Sequence, residues 1–215
     1  MQEILVLGDS HSPIFNHPLF KEKFPHLFFN VLTVIGATAS GLENPNSQTR
    51  AYPIFREAIL QSTAKQVIIM LGEVDTGFVI WYRAQKYQES VSAMMDKAVD
   101  SYSRFLAELK MRFEVVCIST PLPTIQDGND WGDIANARRE VTASQVERTA
   151  LTLEFNRTMQ QFCEQSNIRY IMLDAESLGE NGIVKASLLN NDSSDHHYDP
   201  EQYSRLLADR LTGVI

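Results

Sequence analysis

Five short apolar runs alternate with stretches of helical period, and this alternation restricts the possible folds more than any other feature of the chain. The runs are Ile4–Leu7, Leu27–Val34, Gln66–Leu71, Glu114–Ser119 and Arg169–Leu173. Each has the length and the β-branched or aromatic content of a strand buried on both faces. Between them, Val91, Met94, Met95, Ala98, Val99, Tyr102, Phe105, Leu106 and Leu109 repeat at i, i+3, i+4, the period of an amphipathic helix. Met and aromatic residues at that spacing read as core. A second stripe is Leu151, Phe155, Met159 and Phe162. A third, Tyr203, Leu206, Leu207 and Leu211, follows Asp199 as N-cap, with Pro200 and Glu201 in its first turn. Strands alternating with helices imply right-handed βαβ units. The expectation is an α/β chain: a three-layer α/β/α sandwich with a five-stranded parallel sheet in flavodoxin-like order. The 215 residues suit one domain, 1–215, with no internal repeat. Pro121–Val141, rich in Pro, Gly, Asp and Asn, reads as a loop or lid.

Charge narrows the partners. A formal net charge of −8 argues against a nucleic-acid binder, which carries a basic stripe, and against docking on anionic lipid. No apolar segment is long enough to span a bilayer, and the short run behind Glu3 does not read as a leader. Cys117 lies in an apolar run and Cys163 in a helical pattern, so both read as buried thiols with no disulfide framework. These features lead to an expected cytoplasmic setting.

In parallel sheets, ligands bind beyond the carboxyl ends of the strands, so the residues just past each strand matter most. Gly8-Asp9-Ser10-His11 comes after the first, and "IGATASGL", Ile35–Leu42, after the second. "LGEVDTG", Leu71–Gly77, comes after the third, and "NNDSSDHHYDP", Asn190–Pro200, precedes the last helix. Most of the polar chemistry thus gathers at one sheet edge. A serine nucleophile needs a base within reach, and the base needs an acid to hold its tautomer. Ser10 can supply the nucleophile, His197 the base and Asp195 the acid, while the Ser10 and Gly36 amides can receive an oxyanion. The chain has no G-x-S-x-G, which excludes a nucleophile elbow.

The chain resembles the SGNH (GDSL) hydrolase family from end to end. Gly8-Asp9-Ser10 looks like that family's first block and Gly36-Ala37-Thr38 like its second. "DHHYDPEQYSRLLADRL", Asp195–Leu211, looks like its last, and Pro200, Glu201 and Tyr203 align His197 with the catalytic histidine. The resemblance implies an esterase acting on a small-molecule or glycan ester through an acyl-serine, with no cofactor and no metal. The third block departs from the family pattern. Gly72-Glu73-Val74-Asp75 places valine where the family has an oxyanion-donating asparagine, and loss of one such donor typically costs about 2.7–4 kcal/mol of transition-state stabilisation. The family's acid stands three residues before the histidine, but Ser194 occupies that position. Asp195 is the favoured acid and Asp192 the reserve. The Gly-Asp-Ser-His start, the Gly-Glu-Val-Asp block and the His196-His197 pair look closest to variants associated with polysaccharide biosynthesis.

Asp9, Thr38, Glu73, Asp75, Arg83, Asp192 and His196 are expected to bind substrate or support the site. Asp9 can shape its turn, Asp75 can brace a loop, and His196 can orient its neighbour. His17 and His26 read as structural, Trp81 and Tyr82 more as core than as ligand platforms, and Trp131 as a weaker ligand candidate. Two alternatives compete with the esterase. An inactive glycan- or partner-binding module would keep the fold, with Val74 marking decayed catalysis. A metallophosphoesterase would use Asp9-x-His11 and "GEVDTG" as metal-ligating blocks, although the Gly-Asn-His block of such enzymes is absent.

Overall fold

A computed structural model describes residues 1–128, 141–192 and 194–215. The apolar runs form β1 (Gln2–Gly8), β2 (Leu27–Thr33), β3 (Gln66–Met70), β4 (Glu114–Ile118) and β5 (Arg169–Ile171). They make one parallel sheet in the order β2-β1-β3-β4-β5. Chain order reverses between β1 and β3, so a crevice opens beyond the end of β1, where Asp9 and Ser10 lie.

The helices are α1 (Pro18–Lys23), α2 (Ala51–Gln61), α3 (Ile80–Tyr87), α4 (Val91–Lys110), α5 (Gln145–Gln165), α6 (Asp174–Ser177) and α7 (Pro200–Leu211). The runs of β1, β3 and β4 are apolar through their middles because successive residues feed two different cores. Leu5, Leu7, Val67, Ile69 and Cys117 pack on one face with Phe55, Phe105 and Phe155 from α2, α4 and α5. Ile4, Val6, Ile68, Val116 and Ile118 pack on the other with Phe20 of α1 and Leu207 and Leu211 of α7. Fully burying one such Leu, Ile or Phe side chain contributes about 1.5–3 kcal/mol.

Local signals set the helix ends. The Ser90 side chain accepts from Ala93 N at 3.0 Å to start α4. Ser144 and Glu147 close a capping box on α5, and Asp199 accepts from Gln202 N at 3.0 Å ahead of Pro200. The stripe read for α4 is its buried face, with Val91 and Val99 half-buried at its edge. β5 stops earlier than its apolar run because the Leu173 amide turns to Ser119 Oγ, 2.9 Å away, and leaves the ladder. No stripe in the sequence announced α2, which buries only Ala51, Phe55 and Ile59 and carries Pro53 in its first turn.

Of the stretch read as loop or lid, Pro121–Gly128 and Val141 are among the described residues. Pro121–Ile125 has no regular secondary structure and is buried. Asn156 of α5 holds its start, with Oδ1 accepting from Thr120 N at 2.8 Å and Nδ2 donating to Thr120 O at 2.9 Å. Leu122 N donates to Tyr198 Oη at 2.7 Å, and the Thr124 hydroxyl donates to the His196 carbonyl. This strap therefore fixes the segment that carries His196 and His197. No helix among the described residues is long and apolar enough to cross a membrane.

Candidate active site

Ser10 leaves β1 in a tight turn. Ser12 N donates to Asp9 O at 3.1 Å, and Ser12 Oγ donates to the same carbonyl at 2.8 Å and pairs with Thr33 Oγ1 at 2.7 Å. The turn needs Gly8, because a Cβ there would stand 2.7 Å from Ser12 Cβ and 2.9 Å from Met70 O. The Ser10 side chain faces the segment before α7, where its Oγ lies 2.9 Å from His197 Nε2.

His197 is held from its other side by Asp195. Asp195 Oδ1 lies 2.6 Å from His197 Nδ1 and also accepts the His197 backbone N–H at 2.9 Å, while Asn190 Nδ2 donates to Oδ2 at 3.0 Å. The exposed Asp192 turns elsewhere: its Oδ1 accepts from Ser194 N at 2.9 Å and Ser194 Oγ at 2.7 Å. Of the two acids left open by spacing, the structure therefore brings Asp195 to the histidine. Burial pushes Asp195 up, but its hydrogen bonds from His197 outweigh that and leave it below the usual carboxylate value.

The same local motif occurs a second time beside the serine. Asp9 Oδ1 accepts His11 N–H at 2.9 Å and lies 3.1 Å from His11 Nδ1, and both residues are buried. The His11 ring meets the His197 ring edge-on at 4.6 Å between centroids, and His196 lies tilted against His197 at 4.1 Å. Burial, followed by the charge of His11, holds His197 below its ordinary value of 6.5, against the opposing pull of Asp195 and Glu73. A base must be neutral to take the Ser10 proton, so activity rises as pH climbs through the His197 pKa. The acid limb of kcat/KM for an ester substrate is expected to have its midpoint below pH 6.5. A limb centred above that value would contradict this assignment of the base.

The second and third loops lie beside Ser10. Val34 N donates to Gly8 O at 2.9 Å and Ala37 N to Val34 O at 3.0 Å, in a turn that places Gly36 at φ 72°. That left-handed conformation favours glycine. Among the described residues, the backbone hydrogen bonds engage neither the Ser10 nor the Gly36 amide. Asp75, fully buried, reaches across to this loop and accepts from Ala39 N at 2.7 Å and Ser40 N at 3.0 Å. Burial pushes Asp75 up to about 6 against those amides. Its stabilising contribution is therefore greatest below pH 3.8 and fades as pH rises through about 6. Val74 is half-buried and carries no donor, and Glu73 is buried with its charge acting on His197.

A cleft of about 390 Å³ opens beside Ser10 and His197, lined also by Ile14, His17, Asn190 and Tyr203. Thr38, Glu73, Asp75 and Arg83 do not line it. Arg83, on α3, acts on buried Asp75 through its charge. Trp81 donates to Thr76 O at 2.7 Å and packs on the core, and Tyr82 stacks on Phe78 at 5.6 Å. Trp131 lies outside the described residues. His17 accepts from Leu19 N at 3.3 Å as the cap of α1 and also borders the cleft, which its reading as structural missed. Nothing near Asn190 in the sequence marked it as the residue that holds Asp195. For His11 the signal was visible, because Asp9-x-His11 repeats the spacing of Asp195-x-His197.

Donor atoms of Asp195, His196 and His197 lie within 4.8 Å of one another, close enough for a cation. Both His197 ring nitrogens are already engaged by Ser10 and Asp195, so a cation there would compete with that chain of bonds. The two-block metal reading fails on Asp75, which points its carboxylate at backbone amides and is shut away from solvent.

The 2-1-3-4-5 parallel sheet with helices packed on both faces matches the SGNH (GDSL) hydrolase fold of solved lipases and acetyl esterases. The chain is similar to a GDSL-like lipase from Bacteroides thetaiotaomicron, at TM-score 0.68 and 14% identity over 99% of this chain and 87% of that one. It is similar to the acetyl xylan esterase AlAXEase, at TM-score 0.64 and 12% identity over 99% of each chain. It is also similar to a carbohydrate acetylesterase from Sinorhizobium meliloti, at TM-score 0.60 and 13% identity over 100% of each chain. No protein-family sequence model matches the chain, and no curated protein matches it in sequence.

Proposed function

We propose that this chain is a serine esterase of SGNH type. It removes or transfers a short acyl group, acetyl in the simplest case, on a carbohydrate or other small ester. The observation that carries the reading is the chain of bonds from Ser10 Oγ to His197 Nε2 at 2.9 Å and from Nδ1 to Asp195 Oδ1 at 2.6 Å. Ser10 Oγ attacks the ester carbonyl carbon as its proton passes to His197 Nε2. The Ser10 and Gly36 amides receive the oxyanion. The bond to the leaving alcohol breaks, and His197 returns the proton to that alcohol's oxygen. Water, or an acceptor hydroxyl in the transfer case, then attacks the acyl-serine and gives its proton to His197. The acid or new ester leaves as Ser10 regains the proton. Asp195 stays ionised throughout and fixes the proton on His197 Nδ1.

The carbohydrate acetylesterases among the similar folds support the substrate class. The Gly-Asp-Ser-His start and the Gly-Glu-Val-Asp block support placement with the variants associated with polysaccharide biosynthesis. Val74 favours a second reading, a glycan- or partner-binding module with weak or no turnover. Treatment with a serine-directed fluorophosphonate, with peptide mapping of the product, decides between them. The expected result is one adduct on Ser10, absent in His197→Ala. An unlabelled Ser10 in the wild-type protein would reject the esterase and leave the binding module.

A further inference from the structure

The cleft of about 390 Å³ lies on the histidine side of the serine. Ser10, Asp195 and His197 line it, whereas Gly36 and the loop behind it do not. In the proposed reaction the leaving oxygen must come within hydrogen-bond reach of His197 Nε2, because that nitrogen returns the proton. The oxyanion points the other way, to the Ser10 and Gly36 amides. A group attached to the leaving oxygen therefore continues into this cleft, and the acyl group departs from it.

The walls specify what that group is. Pro13, Ile14 and Pro200, with the rings of Tyr198 and Tyr203, give an apolar surface far larger than an acetyl methyl needs. Polar groups stand among them: Asn16 is exposed, and His17 pairs with Glu201 of α7 at 3.5 Å. An alkyl chain would leave these polar groups unused, whereas a sugar ring offers C–H faces to the apolar wall and hydroxyls at its edge. Among the described residues no lysine or arginine lines the cleft, while Asp195 does, so these walls disfavour an anionic alcohol.

Resting on the esterase reading, we infer that this cleft is the alcohol site and takes one neutral, ring-sized polyol, such as the acyl-bearing unit of a glycan. The test compares kcat/KM for a monoacetylated methyl pyranoside, methyl acetate and n-hexyl acetate, in wild type and in Ile14→Trp, which fills the cleft. The pyranoside acetate is expected to be the best wild-type substrate. Its advantage over methyl acetate is expected to fall at least tenfold in Ile14→Trp. A wild-type preference for hexyl acetate would overturn the polyol assignment. An unchanged pyranoside-to-methyl ratio in folded Ile14→Trp would overturn the alcohol site. So would a loss confined to 4-nitrophenyl hexanoate relative to 4-nitrophenyl acetate, which would make this the acyl site. Should Ile14→Trp not fold, product inhibition of the wild type by the free methyl pyranoside decides: competitive inhibition supports the assignment and its absence overturns it. No turnover of any ester, with Ser10 unlabelled by fluorophosphonate, would instead mark failure of the esterase reading itself.

Discussion

Ser10→Ala is expected to lower kcat for an acetyl ester about 10⁶-fold, and Ser10→Ala with His197→Ala to lose no more than either change alone. The non-additivity comes from the geometry. Ser10 Oγ makes one hydrogen bond among the described residues, 2.9 Å to His197 Nε2, so neither group acts without the other. The turn itself is held by Ser12 and Gly8 rather than by the Ser10 hydroxyl, so the melting temperature of Ser10→Ala should stay near that of the wild type. Residual turnover of about 10³–10⁴ over water would reflect binding and the oxyanion amides alone. The crowding of imidazoles makes the measurement informative in a second way. His196 and His11 lie 4.1 and 4.6 Å from His197 between ring centroids. A small loss in His197→Ala beside a full loss in Ser10→Ala would show that a neighbouring ring takes the proton, and His197 would lose its role as the base. Multiplying losses in the double variant would show two independent contributions and sink the acyl-serine mechanism.

The centre of the sheet was legible because β1, β3 and β4 are buried on both faces, whereas the edge strands β2 and β5 are only partly buried. Leu5 and Leu7 serve one core and Ile4 and Val6 the other, so no polar residue interrupts the run. α4 and α7 were legible because their apolar faces are long and their caps are ordinary, whereas α2 buries too little to leave a stripe. At the site, residue types in the loops indicated a serine, a histidine and an acid, but spacing could not choose between Asp192 and Asp195. The choice rests on the bond between Asp192 and Ser194, a local turn that no alignment of blocks encodes. Glu73 and Arg83 stood beside the third block and were expected to bind substrate or support the site, and Asp75 to brace a loop. The helical turn that begins after Gly72 carries Asp75 inward to the Ala39 and Ser40 amides, where it does brace the second loop. That turn depends on Gly72 at φ 123°, where a Cβ would stand 2.4 Å from Thr120 Oγ1 and 2.9 Å from Phe155 Cε1. The cleft wall was not legible at all. Ile14, Asn190 and Tyr203 come from separate elements and meet because α7 packs against the short helical turn after Ser10.

Asp195→Asn should lower kcat about 10⁴-fold, while Asp192→Asn should leave it nearly unchanged. The asymmetry comes from how the Asp195 carboxylate is used. Its Oδ1 accepts two N–H groups of His197, and its Oδ2 accepts the Asn190 amide. An asparagine there offers one acceptor and one donor. Turning its NH₂ toward Asn190 sets donor against donor. Turning it toward His197 sets donor against the His197 backbone N–H and moves the ring proton from Nδ1 to Nε2. His197 would then donate to Ser10 Oγ instead of accepting from it, which removes the base while leaving the ring in place. Asp192 touches neither ring and caps Ser194 in an exposed turn, so its replacement reaches the reaction only by loosening the segment before Asp195. Measuring kcat and the pH profile for both variants separates the two acids. Equal losses would mean that the 192–195 segment rearranges when substrate binds and that Asp195 is not the residue that sets the His197 tautomer.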